Sequence, residues 1–207
     1  MKVLTSCLLS LLLITVSCNT ASKKKEAPDK PKTVVTKPLG IKIIMLPLGK
    51  VTPAFISRAY AAVKLIVPGV ELAQKESMPQ AAFYAPRNRY RADSLINWMS
   101  RRASQNQVYV GITMQDISTT KNENPDSGVM GLGFNPGNAC VASDFRLRNK
   151  NYFYKVVLHE LGHTAGLPHC PEQTCFMVDA EGKDKSGGET GFCDTCKNYL
   201  INKGWKL

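Results

Sequence analysis

The most informative segment of the chain reads His159-Glu160-Leu161-Gly162-His163-Thr164-Ala165-Gly166-Leu167-Pro168-His169, and it holds all three histidines of the protein. Side chains four residues apart lie on the same face of an α-helix, so the imidazoles of His159 and His163 converge on one point. Gly166 tolerates backbone conformations that other residues resist, and Pro168 discourages a helix from continuing, so a turn is expected there. The turn would bring His169 back to the same point as a third imidazole.

Three neutral imidazoles that leave one position open are typical of a catalytic zinc site, because a closed structural site has a fourth protein ligand and excludes water. Glu160 projects from the flank of the same helix, where its carboxylate can take a proton from metal-bound water. A bare HExxH pattern arises by chance, but the register of Gly166 and His169 makes this extended pattern far more specific. The segment therefore predicts a catalytic zinc held by His159, His163 and His169, with Glu160 as the general base.

A second cluster of metal-ligating residues follows the last histidine. It consists of four cysteines, Cys170, Cys175, Cys193 and Cys196. Four thiolates that include a Cys-x-x-Cys pair suit a closed tetrahedral zinc site that fixes two loops to each other. A pair of disulfides is the alternative, since exported proteins commonly oxidise their cysteines. The spacing favours zinc, and the disulfide alternative stays open.

The order of these motifs resembles the archaemetzincin pattern, in which a long zinc motif runs into a Cys, a Cys-x-Met and a distal Cys-x-x-Cys. The matching residues are Cys170, Cys175-Phe176-Met177 and Cys193-Asp194-Thr195-Cys196. Similar segments lie upstream at Gly128-Val129-Met130-Gly131-Leu132-Gly133-Phe134 and Cys140-Val141-Ala142-Ser143-Asp144-Phe145-Arg146-Leu147. The resemblance therefore covers residues 40 to 207 approximately, and the first forty residues lie outside it.

The resemblance implies an α/β (α+β) fold, a compact metzincin-like zincin domain. Its parts would be a mixed twisted sheet, an active-site helix and a smaller C-terminal subdomain closed by a four-cysteine zinc site. It implies a zinc metallopeptidase that binds two zinc ions, one catalytic and one structural, and acts on peptide or protein substrates. Met177 would be the methionine of the turn beneath the catalytic metal.

The resemblance also implies a substrate-binding strand just upstream of the metal helix, at Gly131, Leu132, Gly133 and Phe134. Glycines in such a strand would let another backbone approach closely, as strand addition to a sheet edge requires. A simple β-bulge explains the same glycines equally well.

The first 38 residues are expected to be an export signal and a tether. Lys2 precedes an apolar run over residues 8–16 that is too short to span a bilayer, so residues 1–17 are predicted to be a signal peptide. Cys18 would then be lipidated at a lipoprotein cleavage site, which predicts an exported protein anchored to the membrane of the cell envelope. Cleavage near Asn19-Thr20-Ala21, leaving a soluble secreted or periplasmic protein, is the alternative. Residues 18–38 are Lys- and Pro-rich and read as a tether, and residues 39–207 form the predicted metallopeptidase domain.

The formal net charge of +11 does not indicate a nucleic-acid partner. Lys2 and the six tether lysines, offset by Glu26 and Asp29, contribute +5 and leave +6 for residues 39–207. No nucleic-acid motif is present. Five arginines cluster in sequence, at Arg87, Arg89, Arg91, Arg101 and Arg102. We expect them to lie on a solvated helix face; a site for acidic substrates or envelope polymers is the alternative.

Apolar periodicity and turn residues divide the predicted domain into alternating strands and helices. The predicted strands are 41–48, 70–73, 108–114, 129–134 and 139–147, with a turn at 135–138, and the predicted helices besides the metal helix are 54–67, 92–103 and 193–203. Polar or proline-rich composition predicts loops over 79–91, 116–126 and 179–189. Asn151 is predicted to cap the metal helix.

Two other function classes are compatible with these motifs. One is a zinc-stabilised surface binding module without turnover, against which the intact Glu160 argues. The other is a disulfide-stapled structural lipoprotein whose histidines bind metal incidentally. A monomer is expected, and the choice between amino-terminal trimming and internal cleavage is open because it depends on whether the cleft is blocked.

Overall fold

A computed structural model describes residues 40–180, 183, 184 and 186–207. These residues all lie within one unit, Lys37–Leu207. The predicted signal peptide at 1–17, the lipidation site Cys18 and the tether at 18–38 fall outside the described residues. Among the helices in the described part of the chain, none is both long enough and apolar enough to cross a membrane.

The described residues form helices and strands that alternate through most of the chain. In chain order these elements are β1 (Lys42–Pro47), α1 (Pro53–Ile66), β2 (Glu71–Leu72), β3 (Phe83–Tyr84), β4 (Arg89–Arg91), α2 (Ala92–Ser100), β5 (Gln107–Thr113), β6 (Ile117–Lys121), β7 (Asn124–Val129), β8 (Gly131–Gly133), β9 (Ala139–Ser143), α3 (Phe153–Ala165) and α4 (Asp194–Asn202). The predicted helices at 54–67, 92–103 and 193–203 correspond to α1, α2 and α4.

The main sheet has five strands in the order β2-β1-β5-β9-β8. The pairings of β1 with β2, β1 with β5 and β5 with β9 are parallel, whereas β8 runs antiparallel to β9 at the edge. This is the mixed sheet that was predicted. The edge position of β8 leaves one side of this strand without a neighbouring strand in the described structure.

Apolar residues cover both faces of the main sheet, as the alternation of side chains along a strand requires. On one face, Met45 and Val110 pack with α1 and α3 in a core that also includes Phe55 and Leu161. On the other face, Leu46 joins a second core formed mainly by α2 and the neighbouring strands. Because α3 packs directly on β8 and β9, the predicted metal helix is positioned by the buried face of the sheet.

The limits of α3 follow from its flanking residues. Gly166 ends the helix in the left-handed conformation, at φ 102°, and Leu167 N–H donates to Gly162 O at 3.1 Å. These features define a Schellman motif, for which glycine is the preferred residue. The predicted cap at Asn151 is wrong: a single 3₁₀ turn precedes α3, and the Asn149 side chain accepts a hydrogen bond from Asn151 N–H. The capping side chain is therefore that of Asn149, two residues before the predicted Asn151, and it caps the 3₁₀ turn and not α3 itself.

A second, four-stranded sheet overturns two of the loop predictions. Its strand order is β3-β4-β6-β7, and it is built from residues that were predicted to be loops at 79–91 and 116–126. The polar residues of β6 and β7 show no alternation, because much of this hairpin is exposed. Ion pairs join the β6–β7 hairpin to β4: Arg89 of β4 lies 3.2 Å from Asp116 and 3.6 Å from Asp126. The predicted helix face for the arginines is therefore wrong for Arg89 and Arg91, which lie on β4.

Two predicted strands extend well beyond the observed ones. The segment 129–134 divides between two sheets, since Val129 ends β7 and β8 covers only Gly131–Gly133. Phe134 lies beyond the end of β8 and is exposed. The segment 139–147 is a strand only as far as Ser143. Leu147 is buried although it lies outside the strand.

Candidate metal centre

Three imidazoles meet where the carboxyl-terminal half of α3 faces the segment after it. One ligand atom each from His159, His163 and His169 can be chosen so that all lie within 4.8 Å of one another. The Nε2 atoms of His159 and His163 are 3.0 Å apart. Tetrahedral zinc with Zn–N bonds of about 2.0–2.1 Å places two ligand nitrogens about 3.3 Å apart, so this pair fits the ion closely.

Backbone carbonyls fix the tautomers of the two helix histidines. His159 Nδ1 lies 2.7 Å from Phe176 O, and His163 Nδ1 lies 2.8 Å from Leu167 O. Because a carbonyl only accepts, each Nδ1 carries the hydrogen and each Nε2 presents a lone pair to the shared point. Burial lowers the pKa of His159 to about 4 and also lowers that of His163. Both imidazoles are therefore neutral near pH 7, as a metal ligand must be.

The third imidazole is oriented by a carboxylate. His169 Nδ1 lies 3.3 Å from Asp179 Oδ2, and its ring centre is 5.3 Å from that of His159 and 4.9 Å from that of His163. A carboxylate partner on the outer nitrogen is the arrangement that orients histidine ligands and raises their basicity. Asp179 is thus a part of this site that the sequence did not indicate.

Glu160 lies beside the imidazoles in a buried position. Its residue is 8% exposed and lines the same cleft as the three histidines. Burial raises the pKa of the Glu160 carboxyl to about 8. The carboxyl group packs against Gly131 of β8, where a Cβ would lie 2.5 Å from Glu160 Oε1. The helix and the edge strand together restrict where this carboxylate can point.

The two glycines of β8 are explained by the close approach of α3. A Cβ on Gly133 would lie only 2.6 Å from the carbonyl oxygen of Glu160 and 3.3 Å from His163 Cβ. Pairing between β8 and β9 is regular, with Gly133 opposite Cys140 and Gly131 opposite Ala142. The β-bulge interpretation is therefore wrong, and the backbone that approaches β8 in this structure is that of the metal helix.

Replacing Gly133 by Ala is expected to separate β8 from α3, because the helix backbone cannot yield as a flexible side chain can. We expect the variant to lose about 1–3 kcal/mol of stability, the usual cost of overpacking, together with most peptidase activity. Thermal unfolding and peptide cleavage would measure the two effects. Gly69→Ala is the matched control, since a Cβ there meets nothing within 4 Å. A Gly133→Ala protein that behaves like Gly69→Ala would contradict this explanation.

A tight turn beneath α3 contains the predicted methionine. Met177 is fully buried, and a Cβ on Gly162 would clash with its Sδ atom. Val178 N–H donates to Cys175 O at 3.0 Å to close the turn, and Cys170 N–H donates to Met177 O at 2.8 Å. The neighbouring carbonyl of Phe176 is the one that holds His159. The turn therefore both fills the space under the helix and orients one imidazole.

The four cysteines after the last histidine converge as a second candidate site. Their sulfur atoms all lie within 4.8 Å of one another, and Cys170 Sγ is 3.7 Å from Cys193 Sγ. Tetrahedral zinc with bonds of about 2.3 Å to sulfur places two sulfurs about 3.8 Å apart. A disulfide needs about 2.05 Å, and every cysteine in the described part of the chain is a free thiol. The arrangement fits a metal and does not show the disulfide alternative.

The histidine cluster opens into a cleft of about 1020 Å³. One wall consists of residues from β6, β7 and β8, and the other consists of residues 178–180, 183, 184, 186 and 189. The second wall is tied to the metal helix by Lys155, whose buried Nζ donates to Ser186 O at 2.6 Å and to Glu189 O at 2.5 Å. Several described residues of the predicted loop at 179–189 therefore line the cleft, as was predicted.

A helix that presents two histidines to a third across an open cleft, with a glutamate beside them, is the arrangement of zinc-dependent hydrolases. Residues 59–202 match the sequence model of Peptidase family M54, and the chain belongs to this family. The protein is accordingly a zinc metallopeptidase that acts on peptide or protein substrates.

Individual relatives agree with the family match. The archaemetzincin of Haloquadratum walsbyi is 29% identical over 174 residues, which is 75% of this chain and 97% of that protein. The archaemetzincin of Methanopyrus kandleri is 30% identical over 135 residues, covering 61% of this chain and 74% of the relative. These similarities confirm the resemblance that the cysteine and histidine motifs indicated.

Solved structures show the same fold. The crystal structure of archaemetzincin from Archaeoglobus fulgidus aligns with a TM-score of 0.64 at 24% identity, covering 77% of this chain and 99% of that one. The archaemetzincin structure from Methanopyrus kandleri gives 0.65 at 24% identity, covering 79% and 95%. The predicted compact α/β domain with an active-site helix is confirmed.

Sequence reasoning missed Asp179 and Lys155. Helix spacing offered a signal for Lys155, which precedes His159 by four residues and so lies on the same side of α3. Asp179 follows Met177 by two residues but gave no signal of its own, because carboxylates are common in polar loops. Its approach to His169 depends on the turn at residues 175–178.

Proposed function

We propose that the protein hydrolyses peptide bonds with Glu160 as general base and with His159, His163 and His169 as the ligands of a catalytic zinc. The observation that carries this proposal is the buried Glu160 carboxyl, which shares a cleft with three convergent imidazoles. Zinc bound there would supply Lewis acidity toward a water molecule and the substrate carbonyl.

Glu160 has the properties needed to move a proton twice. It would accept a proton from the attacking water and later give it to the leaving amine. Burial raises the pKa of this carboxyl and so makes it a stronger base, while a zinc ion bound beside it would favour the charged form that accepts the proton. Gly131 limits the positions that the carboxyl can occupy, which keeps it directed into the cleft.

We propose that an extended substrate adds as a strand along β8, with Gly131, Leu132 and Gly133 providing backbone groups and Phe134 lying at the end. Support comes from the edge position of β8 in the main sheet and from its place in the cleft wall. Strand addition uses main-chain hydrogen bonds, which do not depend on substrate sequence. The exposed Phe134 offers an apolar surface beyond the strand.

We propose a second zinc with a structural role, bound by Cys170, Cys175, Cys193 and Cys196. Support comes from the spacing of the sulfur atoms and from two N–H groups, those of Met177 and Cys193, that donate to Cys175 Sγ at 3.4 Å. Such a site would join the turn under α3 to the beginning of α4. Because Cys175 precedes Met177 by two residues, the structural zinc would also hold Met177 beneath the catalytic zinc.

Digestion of a diverse peptide library by the zinc-loaded protein, followed by mass spectrometry, tests the proposed function. We expect new termini in the presence of zinc and none after the metal is removed with a chelator. The positions of the new termini would distinguish amino-terminal trimming from internal cleavage. A folded sample with bound zinc that leaves the library intact would contradict peptide hydrolysis and favour a binding module.

We also propose that Cys18 carries a lipid that anchors the exported domain to a cell-envelope membrane. Support comes from the apolar run that ends just before Cys18 and from the polar tether that follows. Cys18→Ala is expected to prevent labelling by a radioactive fatty acid and to release the protein from the membrane fraction. Cys7→Ala, within the predicted signal peptide, is the control and should leave labelling unchanged. Equal labelling of the two variants would contradict the anchor.

A further inference from the structure

Arg146 is held in the cleft wall in a fixed orientation. Its Nε and Nη2 atoms donate to the two carboxylate oxygens of Asp116, at 2.8 and 2.9 Å. The guanidinium lies flat across Gly128 of β7, where a Cβ would collide with it. These contacts use one edge of the guanidinium, and within the described residues Nη1 has no hydrogen-bond partner. A rigid donor thus faces a cleft in which substrate must lie.

The charge of Arg146 is only partly neutralised. Asp116 is shared with Arg89, whose Nε lies 3.2 Å from the same carboxylate. Arg89 also lies 3.6 Å from Asp126, which pairs with Arg87 and Arg91 as well. Counting Asp93 beside Arg91, four guanidinium groups share three carboxylates, so the network keeps a positive excess. The Arg146 side chain is 35% exposed, so this excess is accessible from the cleft. A carboxylate is the group that best complements a free guanidinium edge, because the hydrogen bonds are charge-assisted.

The position of Arg146 relative to the metal centre follows from the chain that joins β7 to β8. Gly128 precedes Gly131 by three residues, and Gly131 contacts the Glu160 carboxyl. Three residues of extended chain span at most about 10 Å, and the chain bends at Met130, so the guanidinium lies no more than about three substrate residues from the reacting bond. A substrate that pairs antiparallel with β8, the more stable arrangement, has its carboxyl-terminal part on this side.

We infer that Arg146 is a specificity-determining residue that binds a substrate carboxylate within about three residues after the cleaved bond. The inference rests on the proposed strand addition along β8. The carboxylate can come from an acidic side chain or from the carboxyl terminus of a short peptide, since both present the same group. This cleft therefore selects extended polypeptides with an acidic residue at the position that Arg146 contacts, or short peptides whose carboxyl terminus lies at that position.

Matched peptides test the inference on the zinc-loaded full chain. Starting from a cleaved library peptide, one series places Glu or Gln at each of the three positions after the cleaved bond and ends in an amide. A second series carries neutral residues and ends one, two or three residues after that bond in a free carboxylate or an amide. Each pair is measured with the native protein, Arg146→Gln and Arg146→Lys. Arg148→Gln, which removes another exposed arginine of the cleft, is the matched control.

With the native protein we expect kcat/KM to be about tenfold higher for the carboxylate member of one pair, mainly through KM. Arg146→Gln should abolish that preference while still cleaving the neutral peptides, and Arg148→Gln should keep it. Arg146→Lys keeps the positive charge but loses the planar guanidinium that can bind a carboxylate with two hydrogen bonds, so it should retain part of the preference. The series that shows the effect identifies a side-chain or a terminal carboxylate as the ligand.

The inference fails if the native protein shows no preference in either series, or if Arg148→Gln loses the preference as fully as Arg146→Gln, which would indicate diffuse charge. Affinity of the same peptides for zinc-loaded Glu160→Ala protein, measured by fluorescence anisotropy, requires no turnover. Equal affinity of carboxylate and neutral peptides there overturns the role of Arg146. Cleavage by the Glu160→Ala protein would instead contradict the general-base proposal, so the two failures are distinguishable.

Discussion

Glu160→Ala is expected to lower kcat by about 10³-fold or more while zinc stays bound. General-base catalysis typically contributes 10²–10⁴-fold. Among the described residues, Glu160 is the only buried carboxylate that lies in the cleft beside the imidazoles. Zinc content should not change, because Glu160 is not among the convergent histidines. Cleavage kinetics on a peptide found in the library digest, with zinc measured by mass spectrometry, would check both expectations.

Two further variants make this result specific. Glu160→Gln keeps the size of the side chain but cannot accept the proton, so it should be as inactive as Glu160→Ala. Glu71→Ala removes an exposed glutamate at the opposite edge of the main sheet and should keep native activity. A Glu160→Gln protein with more than about a tenth of native turnover would contradict the assigned role, given the range expected for general-base catalysis.

Cys175→Ala is expected to remove one zinc per chain and to lower the melting temperature by about 10 °C or more. Loss of a structural metal destabilises a protein by more than about 4 kcal/mol, and each kcal/mol corresponds to about 2–4 °C in a domain of this size. Cys175 is almost fully buried, so the three remaining thiols have no replacement ligand nearby. Calorimetry and zinc analysis on the same sample would measure both changes.

The same substitution should also weaken the catalytic site. Cys175 opens the turn that places the Phe176 carbonyl on His159, and loss of an outer-shell partner typically lowers metal affinity by about 10–100-fold. Cys140→Ala is the matched control, because Cys140 is an equally buried thiol in β9 that lies outside both metal clusters. Two retained zinc ions in Cys175→Ala, or equal melting temperatures for the two variants, would contradict a structural zinc. A native melting temperature that falls with reductant would favour disulfides.

The elements predicted correctly share a local cause. Thr52 begins α1 because its side chain accepts the N–H of Phe55, and the apolar repeat of α1 faces the core over its whole length. The missed elements lack such a cause. Most residues of β6 and β7 are polar, and ion pairs join this hairpin and its flanking Asp116 to arginines that lie on β4, about thirty residues earlier in the chain.

The histidine and cysteine sites were accessible to sequence reasoning because their geometry is set over short distances. A helix fixes the four-residue spacing of His159 and His163, and a glycine cap fixes the return toward His169. The orienting carboxylate Asp179 and the cleft guanidinium Arg146 were not accessible in this way. Their positions depend on a turn and on an edge strand that form only when distant segments pack together.

The sequence by itself thus determined the family, the candidate metal ligands and the order of most helices and strands, because short motifs determine local backbone geometry and side-chain chemistry. Only the tertiary structure decided why β8 carries glycines and which residues line the cleft. Those features depend on the distance between α3 and β8, where a Cβ on Gly133 would reach the helix backbone. Distances between segments that are far apart in the chain are set by packing, which no local pattern encodes.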